Sequence, residues 1–120
     1  MSPARRPALP MSPTAYQVLL TLGDEALHGY AIMRRFEELT RGADELLPGT
    51  LYTTLGRMVE LGWIEEASPR RGEESNGPPR RHYRITPQGR KAAKAESERM
   101  RRLVAVVKQE RPDWLPERAR

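Results

Sequence analysis

The sequence predicts a mainly α-helical fold: a winged helix-turn-helix of three helices plus a two-stranded β-wing, with a long C-terminal dimerisation helix. Three observations carry this. Helix-start and helix-stop residues bracket apolar residues at helical spacing four times along the 120 residues. Between the third and fourth of these segments, two short runs of strand character flank a stretch rich in Pro, Gly, Ser and Asn. The charge is uneven: residues 69–102 hold eleven Lys or Arg against four acids, whereas residues 24–47 hold three Arg against six acids. A basic block set against an acidic one favours a polyanionic partner on one face.

The first eleven residues, Met1 to Met11, are rich in Pro and lack periodicity, which predicts a disordered arm. Ser12-Pro13 opens the first helix, because Ser supplies an N-cap oxygen and Pro suits the first helical position. Ala15, Val18, Leu19 and Leu22 give its buried face, and Gly23 stops it. Gly23 to Leu27 reads as a turn. The second helix starts near His28-Gly29-Tyr30, with His28 as a cap or packing residue. It buries Ile32, Phe36 and Leu39 and ends by Gly42. Ala43 to Leu47 reads as a connector with room for a short strand. Pro48 opens the third helix, Leu51, Leu55 and Met58 form its buried stripe, and Gly62 closes it. Gly56, inside that helix, costs about 0.5–1 kcal/mol relative to Ala and suggests local tolerance or close approach of another helix.

Trp63 to Ala67 and Arg80 to Thr86 form the two arms of the wing. In the second arm Tyr83 and Ile85 face one way, and His82 and Arg84 the other. Thr86-Pro87 repeats the cap-then-proline signature and starts a fourth helix that runs to about Gln109, with Pro112 as a stop. Met100, Leu103, Val104 and Val107 form a sharp apolar stripe on it, which predicts a dimer interface, and Trp114 beyond it is expected to pack. The expected organisation is an arm over 1–11, a DNA-binding domain over 12–86, the dimerisation helix over 87–110 and a tail over 111–120.

Several function classes are excluded or weak. The chain has no cysteine, so disulfides, thiolate metal sites and a Cys nucleophile are absent. No run approaches the roughly 20 apolar residues that a membrane span needs, and residues 1–11 lack the apolar core of a signal peptide, so a cytoplasmic location is expected. His28 and His82 lie on different elements without metal-ligand spacing, and neither a Gly-rich phosphate loop nor a nucleophile motif occurs. The expectation is no enzyme, no metal and no cofactor.

Duplex DNA fits better. With its apolar stripe turned inward, the third helix turns Thr50, Thr53, Thr54 and Arg57 outward, and Tyr52 lies beside the stripe. Threonine can touch a thymine methyl, and arginine can bind guanine through two hydrogen bonds. On the wing, Arg70 and Arg71 lie on one arm and Arg80, Arg81 and Arg84 on the other, a cluster suited to phosphates. Glu73 and Glu74 near the tip oppose this.

The sequence also resembles the PadR-like transcriptional regulators. The residues that carry the likeness are His28-Gly29-Tyr30-Ala31-Ile32, Gly49-Thr50-Leu51-Tyr52-Thr53-Thr54-Leu55, Gly62-Trp63-Ile64 and Tyr83-Arg84-Ile85-Thr86-Pro87-Gln88-Gly89-Arg90. They occur in order, and the resemblance covers roughly residues 12 to 90. The resemblance implies a homodimer held mainly by the C-terminal helix, repression that a ligand can relieve, and DNA contact by the third helix and wing, with Tyr52 at the family's tyrosine position. The chain departs from the family in its wing tip, which carries a Glu-Glu, Gly and Pro insertion. Its fourth helix carries no aromatic residue, unlike the aromatic-lined ligand pockets of some relatives. The expected function is a dimeric repressor on an inverted-repeat operator, with an effector ligand left open. Two alternatives stand beside it: an architectural DNA-binding protein with little sequence preference, and a winged-helix module for protein interaction.

Overall fold

The computed structural model describes residues 11–68 and 80–117, and the four expected helices lie where their end residues set them. Helix α1 spans Pro13–Leu22, where the Ser12 hydroxyl accepts the Ala15 N–H at 3.1 Å. Thr21 is fully buried on α1, and its hydroxyl donates to the Gln17 carbonyl, so burial leaves no polar group unmet. Helix α2 spans Gly29–Leu39, with His28 as its N-cap; the ring Nδ1 accepts the Ala31 N–H at 3.1 Å. Helix α3 spans Pro48–Glu60 and buries Leu51, Leu55 and Met58 as the stripe predicts.

The sheet holds one more strand than the expected wing. Leu27–His28 forms β1, and Ile64–Ala67 and His82–Ile85 form β2 and β3, in the order β1-β3-β2. Both pairings are antiparallel; Leu27 faces Tyr83 and His28 faces His82 across β1–β3, and Glu65 faces Arg84 across β2–β3. The end of the segment expected as a turn is thus a strand. Two residues are too few to show alternation, and only their pairing with β3 makes them one. Residues 43–47 form no strand; they carry Leu46 into the core instead.

The core joins α1, α2, α3 and the sheet through Val18, Leu22, Ile32, Leu51, Leu55 and Ile64. Met11, expected at the end of the arm, is buried in this cluster as well. Among the described residues, hydrophobic burial therefore reaches to one residue before the first helix cap, in the segment where composition alone suggested disorder.

Helix α4 spans Pro87–Glu110 and is seated tightly at its start. The Thr86 hydroxyl donates to the Gly62 carbonyl at the end of α3 and accepts the Gly89 N–H at 3.0 Å. The Thr86 N–H donates to the Trp63 carbonyl at 3.0 Å. Gly89 lies so close to that carbonyl that a Cβ there would stand 2.0 Å from the Trp63 oxygen and 2.9 Å from Ile85 Cγ1. One turn further, Ala92 and Ala93 pack on the core, and the Tyr16 hydroxyl meets Ser97 Oγ at 2.6 Å. Glu96 is buried and paired with Arg99, whose Nε donates to it at 2.9 Å; it also takes the Met11 N–H. The hydrogen bond from Arg99 comes first in holding the Glu96 carboxyl below its ordinary value of 4.5, against the opposing effect of burial.

Beyond Glu96, α4 leaves its own domain. Leu103 is 52% exposed and Val104 43%, while Met100 and Val107 are half-buried. A short 3₁₀ turn, Pro112–Trp114, follows, and Trp114 is 68% exposed rather than packed on the domain's core. Among the described residues, no helix is long and apolar enough to cross a membrane.

Candidate nucleic-acid interface

The face of α3 opposite its buried stripe is polar and open. Thr50, Thr53 and Arg57 are exposed, and Thr54 is half-buried. Thr50 to Arg57 covers about 10 Å of helix, or about three base-pair steps. Arg57 forms no ion pair with any described residue. Glu60 lies one turn beyond it, also exposed, and its charge sets the limit of the surface on which a phosphate would be welcome. Gly56 has open space where a Cβ would stand, so the absence of a side chain does not serve close helix packing.

Tyr52 is 52% exposed and rests on the first turn of α2. A Cβ at Gly29 would come within 2.6 Å of the Tyr52 hydroxyl and 2.7 Å of its ring, so the glycine makes room for the tyrosine. Between this contact and β3 lies a cleft of about 560 Å³, walled by Tyr30, Tyr52, Gly56, Arg80, Arg81 and Tyr83. Sequence reasoning missed Gly29 and Tyr30 as part of this surface. The available signal was a glycine directly before an aromatic at a helix start, but only the packing of α2 on α3 brings them to Tyr52.

The wing arginines fall into two groups. Arg84 donates from Nε to Glu65 across the strand pair at 2.7 Å, and Arg81 Nε stands 3.7 Å from Glu66. Both pairs are exposed, so solvent screens them and they open at little cost. Arg80 has no carboxylate partner among the described residues. Its Nη1 lies 3.4 Å from His28 Nε2. Because His28 Nδ1 already accepts from the helix, a neutral ring carries its proton on Nε2, and the Arg80 approach is a contact rather than a hydrogen bond. Arg70, Arg71, Glu73 and Glu74 lie outside the described residues.

His82 departs from the expected alternation. It is buried at 5% exposure, edge-on to the His28 ring at 5.1 Å between centroids, with Nδ1 3.0 Å from the Arg80 carbonyl oxygen. The His28 ring of the neighbouring strand β1 stands against His82, so this ring is buried while Arg84, placed on the same face by the alternation, stays exposed. Among the described residues, no cluster of His, Asp and Glu is placed to hold a metal ion.

Three helices around one core, an open polar face on the third and an antiparallel wing beside it define a winged helix-turn-helix. Residues 18–95 match the family model for the transcriptional regulator PadR-like family. The chain belongs to that family, whose members are transcriptional regulators. Solved structures agree on the fold. A transcriptional regulator from Clostridium thermocellum superposes with a TM-score of 0.67 at 24% identity, over 82% of this chain and 89% of that one. A PadR family regulator from hypervirulent Clostridium difficile gives 0.67 at 23% identity, over 82% of this chain and 97% of the other. Bacillus subtilis PadR in complex with operator DNA gives 0.58 at 20% identity, over 68% of this chain and 45% of that chain. Comparison with curated proteins gives no match.

Proposed function

We propose that this protein is a dimeric transcriptional repressor that binds an inverted-repeat operator in double-stranded DNA. The observation that carries the reading is the outer face of α3, where Thr50, Thr53 and Arg57 are exposed and Arg57 has no acid partner among the described residues. In this reading Thr53, Thr54 and Arg57 read base edges, Thr50 and Tyr52 touch the backbone beside them, and Arg70, Arg71, Arg80, Arg81 and Arg84 hold phosphates. Bacillus subtilis PadR, similar in fold, has been solved with operator DNA, which supports the assignment. The stripe of Met100, Leu103, Val104 and Val107, with Leu103 and Val104 exposed, pairs with a second copy, because an apolar stripe in water favours burial and two-fold pairing supplies it most simply. Two copies set their third helices about 34 Å apart, matching half-sites one helical turn apart.

Selection of bound duplexes from a random pool tests this directly. The expected outcome is a two-fold symmetric motif, with Arg57→Ala losing about 1–3 kcal/mol on the selected site and far less on scrambled DNA. An equal loss on both would make Arg57 a phosphate contact. Recovery of no motif at all would favour the architectural alternative.

A further inference from the structure

Four side chains form a row that leads out of the cleft beside α3 and onto α2. The Arg34 guanidinium lies 5.9 Å from the centre of the Tyr30 ring. Tyr30 stacks on His28 at 6.5 Å with 17° between the planes, and Arg80 Nη1 lies 3.4 Å from His28 Nε2. Tyr30 and Arg34 are one turn apart on α2, so both project from the same face. Tyr30 is shared by two hollows: the cleft against α3, and a second hollow of about 450 Å³ along α2 that also takes in Arg34 and Arg80. The row thus carries a cation at each end and aromatic rings between them, on the same side of the molecule as Tyr52.

The charges nearby differ in availability. Arg35, next along the helix, is committed: its Nε donates to the Thr21 carbonyl at 3.1 Å, and its guanidinium is 3.9 Å from Glu25. Arg34 is exposed and has no carboxylate partner among the described residues. Its aromatic support fixes a long side chain in one direction without neutralising it. In helix-turn-helix docking, the first helix of the motif crosses the DNA backbone, and α2 occupies that place.

We propose that Arg34, propped on Tyr30, is a second phosphate anchor on duplex DNA, placed on α2 and adjoining the α3–wing surface. This deepens the DNA-binding reading and rests on it. Glu38, exposed one turn beyond Arg34, repels a further phosphate, so the anchor holds one phosphate per protomer. The anchor is blind to sequence; its effect is to fix how α2, and therefore α3, lies across the backbone.

The test uses the full chain with two 30-base-pair probes, about the length two half-sites require: a duplex recovered by selection and its scrambled counterpart. Affinity is measured across salt concentrations for the wild type and for Arg34→Ala, Tyr30→Ala, Tyr30→Phe and Arg111→Ala. Arg111→Ala removes one charge at the far end of α4. Losing one phosphate contact per protomer should flatten the log–log salt slope by about 1.8 for a dimer on the selected duplex. Arg34→Ala should show this flattening, and on the scrambled duplex it should lose affinity as well. Tyr30→Ala should follow it, Tyr30→Phe should keep the wild-type slope because the ring remains, and Arg111→Ala should match the wild type. Thermal melting checks that each variant is folded. A slope for Arg34→Ala equal to that of Arg111→Ala overturns the anchor, even though the wild type binds. A wild type that binds neither probe overturns the DNA-binding reading itself.

Discussion

Two glycines in helices should respond to alanine with opposite sign. At Gly89, a new Cβ meets the Trp63 carbonyl oxygen at 2.0 Å and Ile85 Cγ1 at 2.9 Å, and neither can swing away as the tip of a long side chain would. Restoring ordinary contact requires α4 to retreat by about 1 Å, on the van der Waals spacing of packed atoms. That retreat pulls on two hydrogen bonds, from the Thr86 N–H to the Trp63 carbonyl and from the Thr86 hydroxyl to the Gly62 carbonyl. Overpacking costs about 1–3 kcal/mol and each weakened bond about 1 kcal/mol. The gain from better helix propensity, about 1 kcal/mol, does not offset this. A net loss of about 2–4 kcal/mol lowers the melting temperature by roughly 10–20 °C for a domain of this size. At Gly56 nothing lies within 4 Å of the new Cβ, so propensity acts alone and the melting temperature rises by roughly 2–5 °C. Thermal unfolding followed by circular dichroism, with urea titration alongside, measures both. If Gly89→Ala melts at or above the wild type, the close seating of α4 on Trp63 is wrong.

Two further outcomes are expected. Leu103→Asp with Val107→Asp should run as a monomer in sedimentation and lose affinity for a selected operator, because pairing would bury unpaired carboxylates. Its melting at low concentration should stay close to that of the wild-type monomer, since Leu103 is 52% exposed within one chain; a variant that stays dimeric would rule the stripe out as the interface. For pH, the folded value of Glu96 lies below its ordinary 4.5, so its pairing with Arg99 stabilises the fold above that value. This stabilisation fades as pH falls through the folded value. Glu96→Gln should therefore be less stable than the wild type at pH 7, with the gap closing in acid; a gap that stays constant down to pH 3 would contradict the pairing.

What the sequence reveals of this fold depends on how local the physics is. Ser12, Thr86 and the prolines after them mark helix starts because a cap bonds within its own first turn. The buried stripe of α3, and with it the exposed position of Arg57, follows from helical spacing alone. Strand β1 was not legible, since Leu27 and His28 are extended only through partners on β3. The same strand overturned the expectation at His82, because it brings the His28 ring against a side chain that a two-stranded wing would leave open. Met11 was misread for a related reason: a proline-rich composition says nothing about a single side chain that finds a gap beside α4. The cleft required α2 and α3 to meet, and no spacing along the chain announces that Gly29 lies under Tyr52.

The seating of α4 has a mechanical consequence. Thr86 fastens the helix to the end of α3 on one side and heads directly into it on the other, and at Gly89 backbone touches backbone. Such a joint has no slack. The 24 residues of α4 extend about 36 Å from it, so the helix projects as a lever arm fixed to the winged-helix domain. In the proposed dimer, a small rotation between two such helices would reach α3 as a change of angle rather than being absorbed by a swinging linker. In that proposed dimer, a molecule wedged beside the stripe would tilt both winged-helix domains together, and the stiffness of this joint would set how little movement suffices.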